Sequence, residues 1–127
     1  MTREEAAILA VLVALQVKHF IFDFVLQRPY SFFQNKGVYG HPAGIVHAGL
    51  HGLGSIPAIM IMPPGFWIGA AIVVGEFILH YHIDWTKEQV GRRHKLNAAD
   101  QSLALGIDQL AHQLTYVAIL AILMAAN

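Results

Sequence analysis

The sequence predicts an all-α integral membrane protein built as a four-helix bundle, and three observations carry that prediction. The 127 residues are 56% hydrophobic and only 13% charged, where a soluble domain carries about 25% charged residues. The apolar residues gather into four stretches of ~20, each enough to cross ~30 Å of hydrocarbon at ~1.5 Å per residue. The stretches from Ile68 to Val74 and after Tyr116 show no polar stripe, which the helices of a soluble bundle would need.

The elements follow in order within a single domain, 1–127. The first helix is expected over about residues 4–27, ending at Arg28-Pro29, because proline lacks an N–H and restricts the residue before it. The aromatic, polar stretch 30–40 reads as a re-entrant or interfacial loop. A second helix over 42–62 opens on Pro42, tolerated in a first turn, and can kink at Pro57. Pro63-Pro64-Gly65 makes a turn into a third helix over 66–90. The basic stretch 91–95 reads as a loop, and Asn97 can cap a fourth helix over 98–126, with Asp100 favouring the positive end of its dipole.

Arg28 and Lys36 fall in the first loop, and Lys87, Arg92, Arg93 and Lys95 in or beside the third, whereas the opposite side holds only Arg3. Basic loops stay in the cytoplasm. The protein is therefore expected to be a multi-pass protein of the inner (cytoplasmic) membrane, with both termini on the non-cytoplasmic side. Arg3 is followed by Glu4 and Glu5 and no small-residue cleavage site ends the first apolar run, so no cleavable signal peptide is expected. The absence of cysteine excludes disulfides, thiolate metal sites and cysteine nucleophiles. Lys+Arg and Asp+Glu balance at 8 each, so no nucleic-acid partner is indicated.

Eight histidines are present, and most of them pair with another polar residue four positions away. The pairs are His19 with Asp23, His47 with His51, His80 with Asp84, and Asp108 with His112, one per helix. Glu76 lies one turn before His80. Residues at i and i+4 share a helix face, so each pair can present two ligands to one point. If the helices alternate across the membrane, all four pairs fall at one depth, nearer the basic loops. Ionisable groups are expensive at that depth unless they satisfy one another. A divalent ion does this by neutralising carboxylates and accepting imidazole lone pairs. The candidate ligands are His19, Asp23, His47, His51, Glu76, His80, Asp84, Asp108 and His112. They suit one or two ions, zinc favoured, with iron or manganese as alternatives. A metal-free network of ion pairs, or a proton relay, is the competing account of the same residues. His41, His82 and His94 read as loop or interface residues.

Lys36 and Lys87 flank the layer and can hold a substrate phosphate or simply anchor the chain; with His19 as a base they are the candidate catalytic groups. Arg92, Arg93 and Lys95 read as anchors and phospholipid contacts. Trp67 and Trp85 fit aromatic belts, and Gly49, Gly52 and Gly54 permit close helix packing.

Residues 19–27, His-Phe-Ile-Phe-Asp-Phe-Val-Leu-Gln, resemble the opening H-x-x-x-D-F-x-x-Q signature of the bacterial and phage membrane family called domain of unknown function 3307. Lys36 and His47 fit the lysine and histidine that follow. His80 to Lys87 is similar to its H-x-x-x-D-x-x-K element, and Asp108 to His112 to its terminal D-Q-x-x-H. The resemblance covers nearly the whole chain, and it implies a membrane protein without implying an activity. His47-x-x-x-His51 is also similar to histidine pairs of inner-membrane proteins predicted to be metal-dependent hydrolases.

The leading expectation is a membrane-embedded metal-dependent hydrolase, in which the ion activates a water. Its substrate would be a lipid-linked or amphipathic small molecule at the cytoplasmic interface. The alternatives are a metal-ion or proton carrier and a di-iron oxidoreductase. A haem protein ranks last, since it leaves the aspartates without a role. A carrier needs polar groups in both halves of the membrane, and the outer halves offer only the phenol of Tyr116. Membrane lipids are the expected partners, and a homodimer would thicken the thin wall that four helices make around a polar site.

Overall fold

A computed structural model describes residues 1–27 and 31–127. The described residues form helices and turns, and four helical units are long and apolar enough to cross a membrane. The architecture is the expected all-α membrane bundle. The break expected at Arg28-Pro29 lies outside the described residues.

Helix α1, Arg3–Phe20, starts at a reciprocal cap: the Thr2 hydroxyl accepts from the Glu5 N–H, and the Glu5 carboxylate accepts from the Thr2 N–H. It does not run as α-helix to residue 27. A π-helical turn, Ile21–Val25, follows, closed by the Leu26 N–H donating to Ile21 O at 2.8 Å. Such turns insert a residue and often sit at functional sites; this one carries Asp23. A short 3-10 helix, Ser31–Asn35, leads into a tight turn that buries Lys36.

Helix α2, Pro42–Gly54, is capped by His41, whose Nδ1 accepts from the Ala43 N–H. The expected second helix divides at Ser55, and α3, Ile56–Ile61, continues the span. Pro57 has no N–H to give to Leu53 O, which is the physical reason for a break there. Helix α4, Phe66–His94, begins at Gly65 with φ 85° and ends at Lys95 with φ 44°. The basic stretch expected as a loop is thus the last turn of α4. Arg92, Arg93 and His94 favour the negative end of the helix dipole, and the ~1 kcal/mol propensity deficit of Gly91 does not break the helix. Helix α5, Ala98–Ala125, is capped by Asn97, as its position suggests.

The bundle is apolar outside and divided inside. Side chains such as Leu9, Val13, Trp67 and Val117 face outward. One half of the interior is an apolar core of Val11, Leu15, Ala58, Met62, Ile72, Ile119 and Leu123, with the ring of Tyr116 at its edge. The other half holds the histidines and aspartates. Close approach of α2 to α4 depends on Gly52, where an added Cβ would lie 2.7 Å from the Val73 carbonyl oxygen.

Gly52→Ala is therefore expected to destabilise the fold by about 1–3 kcal/mol through overpacking. Gly49, where a Cβ meets nothing within 4 Å, should accept alanine without loss. Thermal unfolding in detergent checks this, and equal melting temperatures for the two variants would refute the packing argument.

Candidate metal centre

Four polar atoms converge from three helical units. Asp23 Oδ1, on the π turn, lies 2.9 Å from His47 Nε2 and 3.1 Å from His51 Nε2, both on α2. His80 Nε2, on α4, lies 3.1 Å from His47 Nε2 and 3.9 Å from Asp23 Oδ1. Adjacent ligands of a tetrahedral zinc ion with bonds of about 2.0–2.1 Å lie about 3.3 Å apart, so these separations bracket a coordination polyhedron. The three imidazoles are almost wholly buried.

Protons alone satisfy this arrangement poorly. His47 Nε2 faces Asp23 Oδ1, Asp84 Oδ2 at 3.2 Å and His80 Nε2 together. If it carries a hydrogen, one N–H must serve two carboxylate oxygens with another ring nitrogen crowded beside them. If it does not, a lone pair faces two carboxylate oxygens. A cation among Asp23 Oδ1 and the three Nε2 atoms eases both conflicts, because their lone pairs can then point at it.

A second group, His80, Asp84 and His112, adjoins the first and shares His80. Asp84 Oδ1 lies 3.3 Å from His112 Nε2, while its Oδ2 takes Lys36 Nζ at 2.8 Å and faces His47. The rings pack on one another: His51 stacks on His80 with centroids 3.6 Å apart, and His80 meets His112 in a tilted contact at 4.2 Å. Among the described residues the Nδ1 atoms of His51 and His80 have no hydrogen-bond partner.

The remaining candidates lie around these groups. His19 stands behind Asp23: its Nδ1 is 3.3 Å from Asp23 Oδ2 and 2.9 Å from the Tyr116 hydroxyl, and its Nε2 is 2.8 Å from Gln109 Oε1. It can fix the carboxylate that faces the other imidazoles, as outer groups do in metal sites. Asp108 lies 3.7 Å from His112 Nε2, and its buried Oδ1 has no hydrogen-bond partner among the described residues. Glu76 is not brought to either group. Its carboxylate accepts from Lys18 Nζ and from the Ser55 hydroxyl.

Lys18 and Ser55 are the residues that sequence reasoning missed. Lys18 Nζ also donates to His51 O at 2.8 Å and lies 4.8 Å over the Tyr116 ring. Gly54 leaves room for its stem, since a Cβ there would meet Lys18 Cδ and Phe22. The available signal was helical phase: Val11, Leu15 and Lys18 fall on one face of α1, and that face is buried.

The cluster has a polar mouth. A cavity of about 480 Å³ opens over Asp23, walled by Gln27, Phe33, Lys36 and Lys87. Burial disfavours the Lys36 ammonium, yet Asp84 in direct contact, then Asp23 and Asp108 farther off, hold its pKa above the ordinary lysine value. Lys87 stays at the rim, 3.6 Å from Glu88 and 3.9 Å from Asp108; it pairs with neither Asp84 nor the first group.

Removing one member of the buried Lys18–Glu76 pair leaves an uncompensated charge. Lys18→Met should destabilise the protein by about 3–5 kcal/mol, and adding Glu76→Leu should recover most of that loss. Unfolding in mixed micelles measures both; a double variant as unstable as the single one would contradict the pairing.

No curated protein and no solved structure matches the chain. A family profile described as "Protein of unknown function (DUF3307)" matches residues 11–127, so the protein belongs to that family.

Proposed function

We propose that the protein is a metal-dependent hydrolase embedded in the inner membrane, acting on a lipid-linked or amphipathic substrate at the cytoplasmic interface. The observation that carries the metal reading is the convergence of Asp23 Oδ1 with the Nε2 atoms of His47, His51 and His80. Zinc is favoured by that nitrogen-rich, four-atom set. The adjoining Asp84 and His112, with Asp108 beside them, give a second ion a place. A bound divalent ion would supply an activated water and polarise a phosphoryl or carbonyl group. The chain's own residues do the rest. His19 holds Asp23 from behind, Lys36 fixes Asp84, and Lys87 at the rim is placed to meet an anionic substrate group.

The carrier alternative requires a polar route through both halves of the bundle. Deeper in, the described residues offer the Lys18–Glu76–Ser55 set and then the apolar core. That supports a pocket opening on one side. Iron in place of zinc would favour the oxidoreductase alternative, since histidine and carboxylate suit both metals.

Metal analysis of detergent-purified protein tests the central claim. Wild type should hold one or two equivalents. Asp23→Ala and His51→Ala should lose the metal, whereas His82→Ala, on an exposed residue bonded to Ile78 O, should keep it. Sub-stoichiometric wild type, or full content in Asp23→Ala, refutes metal binding. Metal uptake into proteoliposomes that depends on Asp23 would establish the carrier instead.

Orientation is testable because the chain lacks cysteine. A membrane-impermeant maleimide applied to intact spheroplasts should label Pro64→Cys and spare Lys95→Cys. The reverse pattern would place the mouth on the outer side.

A further inference from the structure

Lys87 stands where three recesses meet. One is the polar cavity over Asp23. Around the helix, α4 and α5 part to leave an apolar groove of about 390 Å³ between Leu79, Ile83 and Val90 on one wall and Ala104 and Ile107 on the other. Leu79 and Ile107 are half-exposed on the membrane-facing surface. Asp108 lines the groove too, and it lies 3.7 Å from His112, so the groove reaches the edge of the ligand cluster. The third recess sets Lys87 beside Arg92 and Gln101 at the basic end of the bundle.

The charge at this junction is loosely held. Lys36 is committed to Asp84 at 2.8 Å. The carboxylates nearest Lys87 stand at 3.6 and 3.9 Å, beyond ordinary hydrogen-bond reach, and among the described residues its ammonium donates no hydrogen bond. Arg92 lines the third recess and not the groove, and its guanidinium packs against Gly37. A loosely held ammonium at the head of an apolar, lipid-facing slot matches one kind of molecule, an anionic head on a hydrocarbon tail. In a bilayer the tail gains little by leaving bulk lipid for the groove, since both are equally apolar. The head therefore supplies affinity, and the groove sets where the head lies.

We infer that the α4–α5 groove is the lateral entry for a phosphate-bearing lipid, its tail along Leu79, Ile83 and Ile107 and its phosphate at Lys87, at the rim of the histidine–aspartate cluster. The inference rests on the hydrolase reading for what happens to the head, and not for binding itself. Full-length protein in neutral detergent micelles would be titrated with phosphatidic acid carrying a fluorescent acyl chain, and each sample assayed for metal content. Ile107→Trp and Ala104→Trp, which fill the groove at two levels, and Lys87→Gln should each weaken binding about tenfold or more. Val117→Trp, on the outward face of α5, should bind as wild type does. All four should retain wild-type metal. Unchanged affinity in both tryptophan groove variants overturns the inference. So does equal binding of the matching diacylglycerol, or displacement of the probe by glycerol 3-phosphate at equal concentration, which would mark a free-phosphate site in the mouth. Wild type that lacks metal yet loses the probe in the groove variants overturns the hydrolase reading and leaves the groove assigned.

Discussion

Asp23 is shared by imidazoles from two other helices, and the polar half of the bundle is organised around that sharing. Its Oδ1 faces His47, His51 and His80, and its Oδ2 faces His19. In hydrocarbon a lone carboxylate is not tolerated, and neither is a group of buried imidazoles without partners. Each of these residues is admissible only because the others are present. That mutual dependence fixes where α2 and α4 stand relative to the end of α1. It also gives the π turn a purpose: the extra residue falls in the segment that carries Asp23, where helix phase decides which oxygen meets which ring.

Beneath this layer a second polar set obeys the same rule with different chemistry. Lys18, Glu76 and Ser55 satisfy one another, and Lys18 also caps the carbonyl of His51. That carbonyl lies next to the break at Ser55, where Pro57 removes a backbone donor. The break, the lysine and the glutamate therefore form one structural unit joining α1, α2 and α4. Its closed pairing separates it from the upper layer, where His51 Nδ1, His80 Nδ1 and Asp108 Oδ1 find no hydrogen-bond partner among the described residues.

The four spans and the convergence of the pairs were legible because both follow from simple periodicities: runs of apolar residues long enough to span, and polar residues four apart on each. Asn97 as a cap was legible for the same local reason. The role of Glu76 was not. Its phase puts it on the His80 face, and only the approach of α1 decides that Lys18 and Ser55 take its carboxylate. Lys18 itself sits near a span's end, where a lysine ordinarily extends its stem toward water. Its burial follows from the interior face of α1 and the space left by Gly54. The extension of α4 through Gly91 and the π turn after Phe20 are likewise set by packing and charge beyond the range of local propensity.

The contrast between the two layers bears on whether an ion bound there would pass through or stay. A conducted cation needs a succession of sites of similar strength, each open enough to release it. Here the upper layer offers crowded, unsatisfied donors, and the carboxylate below it, Glu76, is already occupied by an ammonium and a hydroxyl. An ion leaving Asp23 toward the core would find no open ligand among the described residues, then Leu15, Met62 and Leu123. The mouth over Asp23 and the groove beside Lys87 lie on the opposite side of the cluster from that core. Access from one side, with no onward path among the described residues, would suit chemistry on a bound molecule better than conduction.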